Sequence, residues 1–248
     1  ILGGTSSVSE AVEEAIKALA PGKITTERVK GKNRELTAIE VYRKGVEAKA
    51  FPEEGGTVII ATGYAYADAL SISSYAYASK TPILLTEKDG TLRTQTRETI
   101  ENGKFARALI LGGNGAVTEE TEAYLKSLGI TTLRLAGKTR YETNAEIVRW
   151  ELGLMEDAAF QPETEMTNVG MGVARGDDFA DAVASVDLLG TTHSVLLLVH
   201  NKSHRQTIEA SIEEFIVPYV KTMKKGYIFG GTGAVSEEIE EMLNAAIK

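Results

Sequence analysis

The stretch ARALILGGNGAVTEETEAYLKSLG, residues 106–129, carries the plan of this chain in small. ALIL is a solid apolar run of strand length, and Gly112 and Gly113 break it. Thr118 then stands as a helix N-cap, with Glu119 and Glu120 complementing the positive end of the helix dipole, and Gly129 stops the helix. A strand, a glycine turn and a helix in this order form the repeating element of parallel α/β structure. The phrase occurs twice more, as ILGGTSSVSEA from Ile1 and as YIFGGTGAVSEE at Tyr227–Glu238, with Ser9 and Ser236 in the capping place.

A glycine turn that feeds a helix also resembles a phosphate grip, because backbone amides and the dipole both face an anion there. Two features oppose that reading. No Lys follows the glycines, so the Walker pattern is unmet. The acids after each cap (Glu10, Glu119, Glu120, Glu237, Glu238) already answer the dipole and would repel phosphate. Gly112 and Gly113, with Gly3, Gly4, Gly230 and Gly231, are therefore assigned to the turn itself. VGMGVARG at Val169–Gly176 imitates a dinucleotide fingerprint, but internal alignment sets Gly170 and Gly172 opposite Thr57 and Ile59, inside a strand. Only Gly176 meets a glycine, Gly63.

Outward from these phrases the chain repeats itself. GKNRELTAIEV (31–41) matches GKTRYETNAEIV (137–148), ATGYAYADALS (61–71) matches ARGDDFADAVAS (174–185), and TPILLT (81–86) matches SVLLLV (194–199). A fixed order of motifs seen twice means duplicated modules. The second is longer at LMEDAAFQPETEM and IVPYVKTMKKG, both in connections, where length changes are tolerated. The division this gives is 1–25, the strand end and helix of a truncated preceding repeat; 26–131, one repeat; and 132–248, another. Ile1–Leu2 reads as the tail of a strand and no initiator Met or signal peptide is present, which predicts a fragment.

Within a module the reading is RV as a short strand, RELTAIEVYRKGVEAKAF as a helix, TVIIATG as a strand and AYADALSISSYAYASK as a helix. PILLT, a helix over LRTQTRETIENGK, the strand ARALILGG and a last helix follow. Strands that alternate with helices and are apolar throughout predict an α/β fold of tandem doubly wound parallel-sheet modules, with helices on both faces.

The 248 residues carry a formal charge of −8 and a pI near 5.1, which sets the molecule as a whole against nucleic acid. Local basic stretches exist at 23–34 (KITTERVKGKNR) and 200–205 (HNKSHR), and both also suit solvated loops. Cysteine is absent, which removes disulfides, thiolate metal sites and cysteine nucleophiles. No apolar run reaches the roughly 18 residues of a membrane span.

The polar residues common to both modules are Arg34 and Arg140, the Glu35–Thr37 and Tyr141–Thr143 stretches, and Asp68 and Asp181. The two aspartates fall just past a strand's carboxyl end, where open α/β sheets place ligands, or they serve to satisfy amides or pair with the arginines. Asp177 and Asp178 with Asp181 resemble a carboxylate cluster, but Tyr64 and Ala65 stand in their place in the first module. Tyr66 and Tyr75 align with Phe179 and Leu188 as packing positions, and Tyr64 is the ring expected to be exposed. His193, His200 and His204 lack the carboxylates of a metal site.

GKTRYET, ATGYAYADAL, TPILLT and LGGNGAV, in this order, closely resemble the cell wall binding repeat 2 family of Gram-positive surface-layer and wall-associated proteins, over essentially the whole chain. NRELT and SVLLLV depart from the family pattern. The family usually carries three repeats; two whole ones and the tail of a third are visible here. The resemblance implies Toprim-type, Rossmann-like modules about a pseudo-threefold axis and a secreted protein held non-covalently in the cell wall. It also implies an anionic secondary polymer as partner, teichoic-acid-like or a phosphorylated polysaccharide, with other surface-layer subunits as further partners. No cofactor, catalytic residue or metal is implied. Arg34, Arg140, Lys30, Lys32 and Lys138 are the implied contacts, joined in the site by Asp68, Asp181 and Tyr64, while Gly63, Gly112, Gly113, Gly176, Gly230 and Gly231 serve as turns. The alternatives are a surface-layer lattice or protein-interaction module, and a metal-dependent Toprim-like enzyme using Asp177, Asp178 and Asp181.

Overall fold

A computed structural model describes residues 1–52, 54–200, 205–219, 221 and 223–247, the side chains of Asn168 and Val169 excepted. After an opening helix α1 (Glu10–Ala18) come α2 (Arg34–Glu47), β1 (Thr57–Thr62), α3 (Tyr66–Ser71), α4 (Ser73–Ser79) and β2 (Ile83–Thr86). Then follow α5 (Thr94–Gly103), β3 (Arg107–Leu111), α6 (Glu119–Ser127) and β4 (Thr131–Leu135). The second half runs α7 (Arg140–Glu151), β5 (Thr167–Arg175), α8 (Ala180–Thr191), β6 (Ser194–Val199), α9 (Arg205–Phe215), a 3-10 turn (Val217–Tyr219), β7 (Lys225–Phe229) and α10 (Glu237–Ala246). Among the described residues no helix is long and apolar enough to cross a membrane.

All strand pairs are parallel, in two sheets of order β2-β1-β3-β4 and β6-β5-β7. The doubly wound expectation holds, and the reason lies in the strands: every residue of β1 and of β6 is buried, as a sheet covered on both faces requires. Alternate residues of β1 and β3 feed separate cores. Val58, Ile60, Ala108 and Ile110 pack with Tyr42, Ile100 and Leu125; Ile59, Ala61, Leu109 and Leu111 turn the other way. That second face meets Met171, Val173, Val195, Leu197 and Val199 of the other sheet, with Trp150 and Tyr75 at van der Waals distance between them, ring centroids 4.9 Å apart. The two modules therefore share one core.

The caps stand where the sequence puts them. Ser9, Thr118 and Ser236 accept from the amides of Val12, Thr121 and Ile239. Three features differ from the sequence reading. The strand after Gly129, β4, pairs with β3 in the first sheet, so the division at 131/132 falls at the start of a strand that completes the preceding module. RV forms only a single bridge, Val29 to Leu2, which is the same arrangement one repeat earlier. The helix over AYADALSISSYAYASK breaks at Ile72 into α3 and α4, where Ser71 and Ser73 donate to the carbonyls of Ala67 and Ala69, back-bonds that disturb a helix.

The insertion after α7 reaches back over the first module. Its Glu163 amide donates to Tyr75 Oη (3.0 Å), its carboxylate accepts from Thr57 (3.1 Å) and pairs with Arg107, and Phe160 O accepts from Trp150 Nε1 (3.0 Å). A loop extension has become a strap across the shared core.

Candidate functional site

The repeated G-K-x-R-x-x-T motif builds one loop twice. Thr37 Oγ1 accepts from the Gly31 amide (2.9 Å) and Thr143 Oγ1 from the Gly137 amide (3.0 Å), while Asn33 and Thr139 cap α2 and α7. Each glycine lies so close to the first helical turn that a Cβ would stand 2.4 Å from Leu36 or 2.3 Å from Glu142. The loop fixes Arg34 and Arg140 as the first residues of their helices, where the dipole disfavours a cation. Their placement therefore answers to something other than helix stability.

Each arginine reaches the carboxyl end of its own module's first strand. Arg34 donates to Gly63 O and lies 4.5 Å from the centre of the Tyr64 ring. Arg140 donates to Gly176 O at 2.7 Å. Gly63 makes room for Arg34, since a Cβ would stand 2.7 Å from Arg34 Cδ, and Gly176 makes room for the neighbouring Tyr141 ring, whose Cε1 would stand 2.7 Å from a Cβ. Lys30, Lys32 and Lys138 are exposed on the same loops, and Tyr64 is 48% exposed. Of the basic stretch at 200–205, residues 201–204 lie outside the described residues.

Arg140 does more than Arg34: it crosses the seam. Its guanidinium lies 5.6 Å from the Tyr66 ring of the first module, with Tyr66 Oη 3.5 Å from Nη1, and Tyr66 meets Phe179 edge-on at 5.6 Å. It also acts on Asp68. Burial pushes the Asp68 carboxyl up to about 6, against the opposing pull of Arg140.

Asp68 and Asp181 serve the glycine phrase. A Cβ on Gly112 would stand 2.6 Å from Asp68 Oδ2, and one on Gly230 2.4 Å from Asp181 Oδ2. Both glycines have positive φ (+86° and +104°), so the first glycine of each pair makes the turn and admits the carboxylate. Gly113 and Gly231 have neither a positive φ nor an atom within 4 Å of a Cβ. In the β1/β3 and β5/β7 crevices, where such sheets bind ligands, an aspartate thus sits against the turn.

The carboxylates of the second module do not converge. Asp177 pairs with Arg175 (2.6 Å) and His200 (3.4 Å), and Arg175 holds it below the usual range. Asp178 accepts from the Phe179 and Ala180 amides, and Asp181 faces Gly230.

The family model for cell wall binding domain 2 (CWB2) matches residues 28–122 and 134–240. The chain belongs to the CWB2 family. The solved structures of Cwp8 and Cwp6 from Clostridium difficile superpose with TM-scores of 0.75 and 0.70. At 24% and 20% identity, these cover 99% and 91% of this chain and 37% and 34% of theirs. Among curated proteins of Bacillus subtilis (strain 168), N-acetylmuramoyl-L-alanine amidase LytC is 27% identical over 91% of the chain, and the amidase enhancer 30% over 98%. The chain spans 40% and 29% of these two relatives, so each likeness is to a part of a longer protein. Cell wall binding, in tandem modules at a Gram-positive cell wall, is what the family establishes.

Sequence reasoning missed a further pair in the CWB2 modules. Arg28, counted above in a basic stretch, is instead bound to Glu13 at 2.7 Å, and Arg134 to Glu122 at 2.8 Å. The available signal was an arginine three residues before the glycine in both ERVKG and LRLAG.

Proposed function

We propose that this chain anchors its protein to the wall by binding an anionic secondary polymer, without chemistry of its own. The observation that carries the reading is the pair of arginines set at helix starts against the dipole, one N–H of each on a strand-end glycine carbonyl and their faces against tyrosine rings. A guanidinium so placed is oriented in advance for the fork geometry of phosphate or carboxylate. Lys30, Lys32 and Lys138 add charge beside each one, and Tyr64 offers a ring to a sugar face. Asp68 and Asp181 support the turn behind the site. Two such corners on one chain gain avidity for a repetitive polymer. The division into repeats at 26–131 and 132–248 remains a reading by sequence; the Arg34 corner lies within the first, while the Arg140 corner borrows Tyr66 from it.

The test is co-sedimentation of Arg34→Gln/Arg140→Gln with Gram-positive walls, untreated and stripped of secondary polymers, across a salt series. Binding should fall by about tenfold or more in the double variant, with the melting profile retained. Undiminished binding, or equal binding to stripped walls, refutes the assignment. Because Arg140 lies in the seam, a Lys30/Lys32/Lys138→Gln variant supplies the same test at exposed positions.

A further inference from the structure

Three places in the chain set a glycine directly after Asp or Asn: Asp89–Gly90, Asn102–Gly103 and Asn114–Gly115. In such a pair the glycine nitrogen can close a five-membered ring on the side-chain carbonyl carbon, and no Cβ hinders its approach. What the fold does with each glycine amide decides whether the ring can form.

Two of the three are shut. The Gly90 amide donates to Glu87 O (3.0 Å). Asp89 Oδ1 accepts from Thr91 N (3.0 Å) and Thr91 Oγ1 (2.7 Å), and these bonds hold its carboxyl below the usual range, in the ionised and unreactive form. Asn102 and Gly103 end helix α5, whose ladder takes the Gly103 amide. Gly103 is also buried, and a Cβ there would stand 2.6 Å from the Phe105 ring.

Asn114–Gly115 is open. Both residues are exposed in the turn between β3 and α6, and nothing lies within 4 Å of a Cβ placed on Gly115. The amides of Ala116 and Val117 both donate to Gly113 O (2.9 and 3.1 Å), but among the described residues no acceptor meets the Gly115 amide. Asn114 Nδ2 donates to Glu119 Oε1 (2.7 Å), which brings the side chain back along the turn toward α6. The other two glycine phrases carry Thr5 and Thr232 at this place, and threonine has no carboxamide.

We infer that Asn114 is a site of spontaneous deamidation. The Gly115 nitrogen, its proton taken by hydroxide, bonds to Asn114 Cγ; the Cγ–Nδ2 bond breaks, ammonia leaves, and a succinimide remains. Solvent water then opens the ring at one of its two carbonyls. Opening at Cγ leaves aspartate, and opening at the backbone carbonyl leaves isoaspartate, with the main chain longer by one methylene. Either product sets a carboxylate where an amide donated to Glu119. Isoaspartate also lengthens a turn that is tied down on both sides. Arg134 Nη1 donates to Gly112 O (2.8 Å) and Val117 O (2.9 Å), and Thr86 Oγ1 to Ala116 O (3.1 Å). Conversion therefore loosens the joint of β3, β4 and α6 with time, while the equivalent turn at 230–235 is spared.

The test is to age the full chain, folded, in mildly alkaline buffer and to follow it by peptide mapping with mass spectrometry. Position 114 should convert to aspartate and isoaspartate while Asn102 and Asp89 stay unchanged. In urea Asn102 should convert as well, because the helix alone protects it. Gly115→Ala should slow conversion at 114 severalfold. Asn114→Thr, the residue of the other two phrases, should keep its melting temperature through ageing, whereas the unaltered chain should lose several degrees. Position 114 intact in the folded chain while Asn102 converts in urea, or conversion at 102 as fast as at 114 without urea, overturns the inference. A fully converted chain that melts with Asn114→Thr overturns the loosening of the joint.

Discussion

β3 and β7 hold equivalent places in the two modules, follow equivalent loops and end in the same glycine phrase, yet they differ in burial. β3 is buried from Ala108 to Leu111, whereas Lys225, Gly226 and Ile228 of β7 are exposed. The strands are similarly apolar; what differs is β4, which lies along β3. Burial of a strand is thus a property of its neighbours as much as of its own sequence. The two arginine corners teach a related lesson. Around Arg34 stand Tyr64 and the buried Glu35, whose carboxylate raises the Tyr64 hydroxyl above its ordinary range. Around Arg140 stand Tyr66, Tyr141, Arg175, Asp177 and His200. One frame, duplicated, has been furnished with different chemistry.

The largest effect should come from breaking what the modules share. Trp150 is fully buried between the sheets, and Trp150→Ala should cost about 3–5 kcal/mol, with both modules lost in one cooperative urea transition. Two resolved transitions would show that the modules fold independently and that the common core counts for little.

The next contrast sets the two clasped arginines against each other. Arg134→Ala leaves the Gly112 and Val117 carbonyls without their arginine donor at the β3–β4 seam and Glu122 with only Lys126 and Thr132, and should lower global stability by about 2–3 kcal/mol. Arg28→Ala should release only residues 1–19, seen as faster hydrogen exchange there, with global stability nearly unchanged because α1 buries nothing. Equal losses would mean that the opening segment belongs to the cooperative unit.

A smaller effect follows from Asp68. Its carboxyl is raised in the fold to about 6 from an ordinary value of 3.8, so the folded state binds the proton more tightly than the unfolded chain. Stability from this group is therefore greatest below about pH 4, declines as pH rises and is fully lost above about pH 6, a difference on the order of 2–3 kcal/mol. Asp68→Asn should remove this slope and be the more stable chain at pH 7. Arg140→Gln should raise the Asp68 midpoint further, observable as its carboxyl chemical shift, because Arg140 is the charge that opposes burial. An unmoved midpoint would sever the electrostatic link across the seam.

The sequence by itself determined much that is local. The caps at Ser9, Thr118 and Ser236, the turn at Gly112 and Gly230, the apolar strands and the order of repeats were legible because each depends on a few neighbouring residues or on a period of alternation. The motifs also named the family, and the loop that holds Arg34 and Arg140 was visible as a repeated phrase. The tertiary structure alone decided which sheet β4 would join, that the insertion after α7 would strap the first module, and that Arg140 would lie against Tyr66 within electrostatic reach of Asp68. It likewise showed that Arg28 belongs to a clasp rather than to a basic face, and that Arg134 forms the same clasp one repeat later. The physical reason is reach. A hydrogen-bonded cap or a glycine turn is settled within one loop, but a strand edge accepts any parallel partner that packs, and a guanidinium finds its carboxylate only after chain segments far apart in sequence have been brought together by the burial of a common core.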